Sequence, residues 1–309
     1  MTAKRAVDTA TEEVPDNLIN LGDALAREKA QNAPWNGEIW NVATIYGDPC
    51  PEFDALMDQT APLICREWDG HVPKKGWKAK RKTWQEWLDD RLTWHPESNR
   101  KDGAGYVFGA SATGERAADN MRGMVAIGLD VEPEQPLEDV IARCERSGLA
   151  IFLYTSHNFA RTTGSAPVDS LLKLGDITTE TVRTYLRGKR YSEDFVSRCE
   201  LTDSRADIDG KIQAAWSCPP LQKMRVIVPL PEVVDVTTLD PSPKRGLLVW
   251  SNKVRGMAQL LGLTIDPAAT DPSRIFYIGK HRPGADHHCA VFRGRPVAWG
   301  DIPEVVAGA

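Results

Sequence analysis

The most regular alternation of apolar and polar positions lies in the middle of the chain. MVAIGLDVE (124–132) is a near-continuous apolar run ending in acids, which predicts a buried strand. PLEDVIARCERSG (136–148) spaces its apolar residues along one helical face and stops at Gly148, a residue that tolerates the left-handed backbone of a helix end. LAIFLYTS (149–156) then predicts a second buried strand. Strand, helix and strand within about thirty residues is compact α/β or α+β construction. Residues 162–222 turn polar, with a helix expected over ITTETVRTYLRGK (177–189) and Thr178 as its N-cap; this stretch reads as an insertion. The sheet resumes with RVIVPL (225–230). PKRGLLVWSNKVRGMAQLLG (243–262) predicts the longest helix, and RIFYIG (274–279) another strand.

Upstream the pattern is looser. EIWNVATIYG (38–47) alternates like a strand, and PEFDALMDQ (51–59) reads as a helix opened by proline. TWQEWLDDRLTW (83–94) predicts a helix and AGYVFGAS (104–111) a strand. Residues 1–33 are polar, with a short helix around Asn17–Gln31, and read as a flexible lead-in to one domain over 34–309. No internal repeat is present.

Composition changes this picture only at the margins. A formal net charge of −5 argues against nucleic-acid binding by the whole surface, while leaving room for a local basic face. The six cysteines (Cys50, Cys65, Cys144, Cys199, Cys218, Cys289) form no CxxC pair, so neither a zinc site nor a disulfide framework is expected. The first residues lack an apolar signal core, and no stretch approaches the roughly 20 apolar residues of a membrane span. A reduced, cytoplasmic setting is the expectation.

Asp130 and Glu132 raise the chemical question. Residues two apart on a strand share a face, so both carboxylates leave the strand end together while Val131 turns to the core. Adjacent carboxylates repel unless a cation lies between them, and hard divalent ions prefer oxygen ligands. The plainer alternative is a solvated strand end, where acids are common. The rest of the chain adds to the pair. YTSHNFART (154–162) places Ser156, His157 and Arg161 at the next strand end, a set of donors suited to a triphosphate. TIDPAATDPSRIFYIGKHR (264–282) supplies a third acid, Asp266 or Asp271, trailed by Arg274, Lys280 and Arg282.

Taken in order, these motifs resemble the catalytic domain of the archaeo-eukaryotic primase superfamily, especially the primase-polymerases of bacterial phages and plasmids. The family's acidic pair on a strand is matched by Asp130 and Glu132. Its small residue, any residue and His, or a close variant, is matched by the stretch ending at His157, with Ser156 beside it. Its apolar residue and Asp are matched by Ile265-Asp266, followed by AAT, DPSR and IFYIG. KMRVIVPL (223–230) resembles the strand after the second motif. The resemblance spans roughly residues 101–282 in short motifs, and the stretch after Arg161 is longer than in compact members.

The resemblance implies an α+β fold, a modified RNA-recognition-type antiparallel or mixed sheet with an N-terminal αβ unit. It implies a template-directed DNA primase and DNA polymerase of phage, prophage or plasmid replication, working with two Mg²⁺ or Mn²⁺ ions. Asp130, Glu132 and Asp266 would hold the metals; Ser156, His157, Arg161, Arg225, Arg274 and Lys280 would bind the nucleotide. The implied partners are a single-stranded DNA template, NTP or dNTP, and a replicative helicase, fused or separate.

Other features carry two readings each. KKGWKAKRK (74–82) has six basic residues in nine and lies among Trp68, Trp84, Trp87 and Trp94. It is either a template path through Lys75, Lys78, Lys80 and Arg81, or a solvated basic loop beside a helix whose tryptophans are core. Lys223 and Arg225 either reach phosphates or open an exposed strand. Asp286-His287-His288 resembles the DHH phosphoesterases, but without that family's acidic motifs it reads as a polar loop. A replication-initiation nickase or nuclease is a rival function, although a nickase needs a His-x-His pair and a tyrosine nucleophile. Here the adjacent histidines are contiguous, and Tyr185 and Tyr191 fall in the insertion. A non-catalytic nucleic-acid-binding module is the other rival, and it would bind DNA regardless of metal or nucleotide.

Overall fold

The computed structural model describes residues 43–66, 77–92, 96–99, 101, 105–208 and 210–307. The 1–33 lead-in, its Asn17–Gln31 helix and Lys75 lie outside these residues. The first elements are β1 (Thr44–Tyr46), α1 (Pro51–Met57), β2 (Thr60–Arg66), β3 (Lys78–Thr83) and α2 (Trp84–Trp87). Next come β4 (Gly105–Val107), β5 (Ala110–Ser111), β6 (Met121–Arg122), β7 (Met124–Val131), α3 (Leu137–Ser147) and β8 (Ile151–Thr155). The polar middle stretch forms β9 (Thr163–Pro167), α4 (Val168–Leu172), α5 (Thr179–Gly188), α6 (Glu193–Ser197), β10 (Glu200–Ile208) and β11 (Lys211–Ser217). β12 (Met224–Val234), α7 (Pro243–Leu260), β13 (Phe276–Tyr277) and β14 (Cys289–Phe292) follow.

The architecture is α+β around a mixed central sheet in the order β1-β14-β8-β12-β7, antiparallel except for the β1–β14 pair. Alternation gives this sheet two apolar faces. Ile127, Leu129 and Val131 of β7 and Val226 and Val228 of β12 meet α3 and α7. α3 contributes Val140 and Cys144, one turn apart; α7 contributes Trp250, Val254, Met257, Ala258 and Leu261, a single helical stripe. α3 carries Glu138 and Asp139 in its first turn and Arg146 in its last, matching the helix dipole, and ends at Gly148 with φ 62°.

The opposite face of the sheet is aromatic. Phe152, Tyr154, Ile227 and Val291 pack there against Phe53, Trp84, Trp87, Phe108 and Phe276. Those side chains come from α1, α2 and a second, antiparallel sheet in the order β13-β4-β2-β3. Trp84 and Trp87 are each 1% exposed, so these two tryptophans are core and not a base-stacking surface. β9, β11 and β10 make a separate sheet with its own core of Leu171, Val182, Leu186, Phe195, Val196 and Trp216. The Thr178 hydroxyl accepts from Thr181 N and caps α5.

Several elements differ from the sequence reading, among them AGYVFGAS, which splits into β4 and β5 in different sheets. β8 does not neighbour β7; β12 lies between them, because two parallel strands joined by α3 leave room for an antiparallel one. RIFYIG shortens to β13 and pairs with β4 in the second sheet, with Phe276 and Ile278 buried in that interface. The described part of the basic stretch is not a loop: Lys78–Thr83 is an edge strand bonded to β2. Among the described residues, no helix is long and apolar enough to cross a membrane.

Candidate active site

The register of the central sheet lines up chemistry in rows. Asp130 of β7 faces Arg225 of β12, which faces Tyr154 of β8, which faces Cys289 of β14. The Arg225 side chain is buried against this row. Its Nε donates to Asp130 Oδ1 at 2.9 Å and its Nη1 to the Tyr277 carbonyl at 2.7 Å. The guanidinium carbon sits 5.7 Å from the centre of the Tyr154 ring and 5.8 Å from that of Phe276, within cation–π range. The Tyr154 hydroxyl donates to the same Tyr277 carbonyl at 3.0 Å. Gly128 makes this closure feasible: a Cβ there would stand 2.3 Å from the Phe276 ring.

A segment far along the chain adds the third acid. Glu132 N donates to Thr264 O at 3.0 Å, Asp266 N donates to Asp130 O at 2.9 Å, and Ile265 bridges Val131 in antiparallel fashion. Thr264–Asp266 thus extends the sheet beyond β7 and sets Asp266 in the row of Asp130. Asp266 Oδ1 accepts from Ala268 N at 2.9 Å, starting a 3₁₀ turn over Pro267–Thr270. Its Oδ2 accepts from Arg274 Nη2 at 3.2 Å, and the same Nη2 donates to Asp130 Oδ2 at 2.7 Å. Asp271 is used differently. Its Oδ1 accepts from Ser273 N at 2.7 Å and Ser273 Oγ at 2.8 Å, holding the turn that presents Arg274.

The two acids of β7 titrate in opposite directions. Burial alone would push the Asp130 carboxyl up, but the charges of Arg225 and Arg274 outweigh it and hold it below the usual range. Glu132 goes the other way: burial raises it, Lys223 opposes, and Asp266, Glu134 and Asp130 raise it further. Lys223 Nζ is 4.0 Å from Glu132 Oε2, the next step in the register. The polar middle stretch also touches this end of β7, because Ser192 N donates to Glu134 Oε1 at 2.7 Å.

The remaining candidates divide. Ser156 lies across from Lys223, its N donating to the Lys223 carbonyl at 2.9 Å. His157 Nε2 is 2.9 Å from Ser98 O, and its buried Nδ1 has no partner among the described residues. Arg161 Nε donates to Thr163 Oγ1 at 3.2 Å. Arg282, outside the expected nucleotide set, is lowered by burial and then by the charge of Arg161, so the two guanidiniums lie within each other's field. Lys280 follows β13 by three residues. The basic stretch is not brought to the acids: Lys78, Lys80 and Arg81 sit on β3, the sheet edge opposite β13, with β4 and β2 between. A cavity of about 550 Å³ includes Thr264, Ile265, Arg190 and Arg255 in its lining but none of the three acids.

Sequence reasoning missed Tyr154 and the Tyr277 carbonyl as partners of Arg225. A partial signal was present, since an arginine leading an otherwise apolar strand needs a partner if buried and the apolar run 124–132 offers the carboxylates Asp130 and Glu132.

Carboxylates from two segments on one face suit a hard divalent cation in chemistry. A cation already bridges two of them, the guanidinium of Arg274. Among the described residues, no three acid, His or Cys side chains converge on a single point.

No protein-family model and no curated protein matches the chain. Among solved structures, the chain is similar to the AEP domain of the Cyanophage S-2L primase-polymerase (PrimPol). That match has 14% identity and a TM-score of 0.34, covering 80% of this chain and 91% of that one. A likeness this distant carries no functional argument, which falls to the residues themselves.

Proposed function

We propose that the protein is a metal-dependent nucleotidyltransferase of the primase-polymerase kind, making and extending primers on a single-stranded DNA template. The observation that carries this reading is the pairing of Ile265 with Val131, which sets Asp266 across from Asp130 on the sheet face that Glu132 shares. In this reading Asp130, Glu132 and Asp266 would hold Mg²⁺ or Mn²⁺, which when bound would activate the primer's 3′-hydroxyl and neutralise charge on the phosphates. Lys223, Ser156, His157 and Arg161 lie along the adjacent strand ends and take the triphosphate, with Arg274 on the acid side; Lys280 precedes His281, whose carbonyl accepts from Ser98 N, and completes the set. Arg225, buried and bonded to Asp130, orients that carboxylate and does not touch nucleotide. The motif order that resembles the archaeo-eukaryotic primases supports the same reading.

Glu132→Gln is the cleanest test, because it leaves the Asp130–Arg225–Arg274 group intact. Primer synthesis and extension on single-stranded DNA should fall about a thousandfold, as metal-held charge stabilisation is worth several kcal/mol and each ~1.4 kcal/mol is tenfold in rate. Synthesis at the wild-type rate overturns the reading. Cleavage of the labelled strand without added nucleotide points instead to a nuclease.

A further inference from the structure

Arg274 and Arg225 both grip Asp130, but only Arg274 also grips a second acid. Its Nη2 donates to Asp130 Oδ2 and Asp266 Oδ2, and its Nε reaches Asp130 Oδ2 at 3.1 Å. The other oxygen of Asp130 accepts from Arg225, and the other oxygen of Asp266 accepts from Ala268 N. An ion shared by Asp130 and Asp266 would compete with Arg274 for the oxygens that it holds, the other two each already accepting a hydrogen bond. Arg274 is also free to leave in a way Arg225 is not. Its side chain is 33% exposed and stands on a short turn, whereas Arg225 is enclosed between Tyr154, Phe276 and the Tyr277 carbonyl.

We propose that Arg274 is a displaceable counter-cation: it clasps Asp130 and Asp266 in the nucleotide-free protein and transfers to the triphosphate when nucleotide arrives, so that divalent cation and nucleotide bind cooperatively. This rests on the nucleotidyl-transfer reading above. The physical reason is competition for the same oxygens. A guanidinium and a divalent ion repel at such range, and one of them must yield. Phosphate oxygens offer the guanidinium fork the same two-bond geometry as a carboxylate. Moving there preserves the hydrogen bonds of Arg274 while releasing an oxygen on each acid. Asp130 stays aligned through Arg225, so the site does not collapse.

The test is Mn²⁺ uptake by the full chain, followed by the electron-spin signal of free Mn²⁺, with and without a non-hydrolysable deoxynucleoside triphosphate and after subtraction of the Mn²⁺ that the nucleotide binds without protein. Wild type should bind Mn²⁺ at least about tenfold more tightly with the nucleotide, within the usual span of coupling between sites. Arg274→Gln should bind Mn²⁺ without nucleotide about as tightly as wild type does with it, and lose most of the coupling. Arg274→Lys, which keeps the charge without the fork and guards against misfolding of the Gln variant, should fall between. Arg116→Gln is the control for bulk charge. Arg116 Nη1 donates to the Ser273 carbonyl, one residue from Arg274, without touching an acid. Equal nucleotide-free affinity in wild type and Arg274→Gln overturns the proposal, as does an equal rise in Arg116→Gln. If no variant binds Mn²⁺ even with nucleotide, the metal-site reading itself fails, a separate outcome.

Discussion

Asp130 and Glu132 leave β7 two residues apart, yet their surroundings act on them in opposite senses. The inner carboxylate is the more buried and is nonetheless held below its ordinary range; the outer one is less buried and is pushed above it. Burial by itself predicts the reverse ranking. The difference lies in the cations at bonding distance: two guanidiniums for Asp130, against one ammonium 4.0 Å from Glu132 with other acids nearby. The inner row is therefore built to stay charged, and the outer position carries an excess of negative charge.

Stability measurements should break this contrast if it is wrong, and the largest effect belongs to the inner row. Asp130→Ala leaves Arg225 buried with one carbonyl partner, and loss of one member of a buried pair costs about 3–5 kcal/mol. Glu132→Ala should cost less than about 1 kcal/mol, as a partly solvated pair at long range contributes little. Urea unfolding of the two variants compares them, and equal losses would erase the distinction.

A smaller effect tests what closes the inner row. Gly128→Ala drives a methyl into the Phe276 ring that covers Arg225. Overpacking of this kind costs about 1–3 kcal/mol. A thermal melt at neutral pH reads it; an unchanged midpoint would mean that Phe276 moves aside freely.

The smallest effect is the pH dependence in metal-free buffer, where the two acids carry opposite signs. The folded value of Glu132 lies above its unfolded value of about 4.3, so its ionisation lowers stability as pH rises through the folded value. Glu132→Gln should match wild type near pH 4 and exceed it at pH 7 by less than about 1 kcal/mol. The folded value of Asp130 lies below its unfolded value of about 3.9, so its contribution is present above that pH and lost as pH falls through the folded value. Urea titrations at the two pH values check both signs.

Much of the frame was legible from periodicity. β7, α3, β8 and α7 lie within segments whose apolar spacing announced them, and β12 runs past both ends of its announced stretch 225–230, because each buries a full strand face or helical stripe. β14 escaped notice, since CAVF is four residues after a polar, histidine-bearing loop. β2 escaped for a related reason: TAPLICR has no clean alternation.

The amino-acid order alone determined that two carboxylates leave one strand end together, since a strand's two-residue period is a local property of the backbone. It also determined where donors and a third acid lie along the chain. It favoured Asp266 over Asp271 as the third acid without fixing the choice, and it placed Arg225 among nucleotide contacts. Those questions depend on pairing between residues more than a hundred positions apart. Only the bridge of Ile265 to Val131 sets Asp266 beside Asp130, and only the strand order, with β12 inserted between β7 and β8, puts Arg225 beneath that carboxylate. Local spacing sets which way a side chain leaves its strand; the register between distant strands sets what it meets.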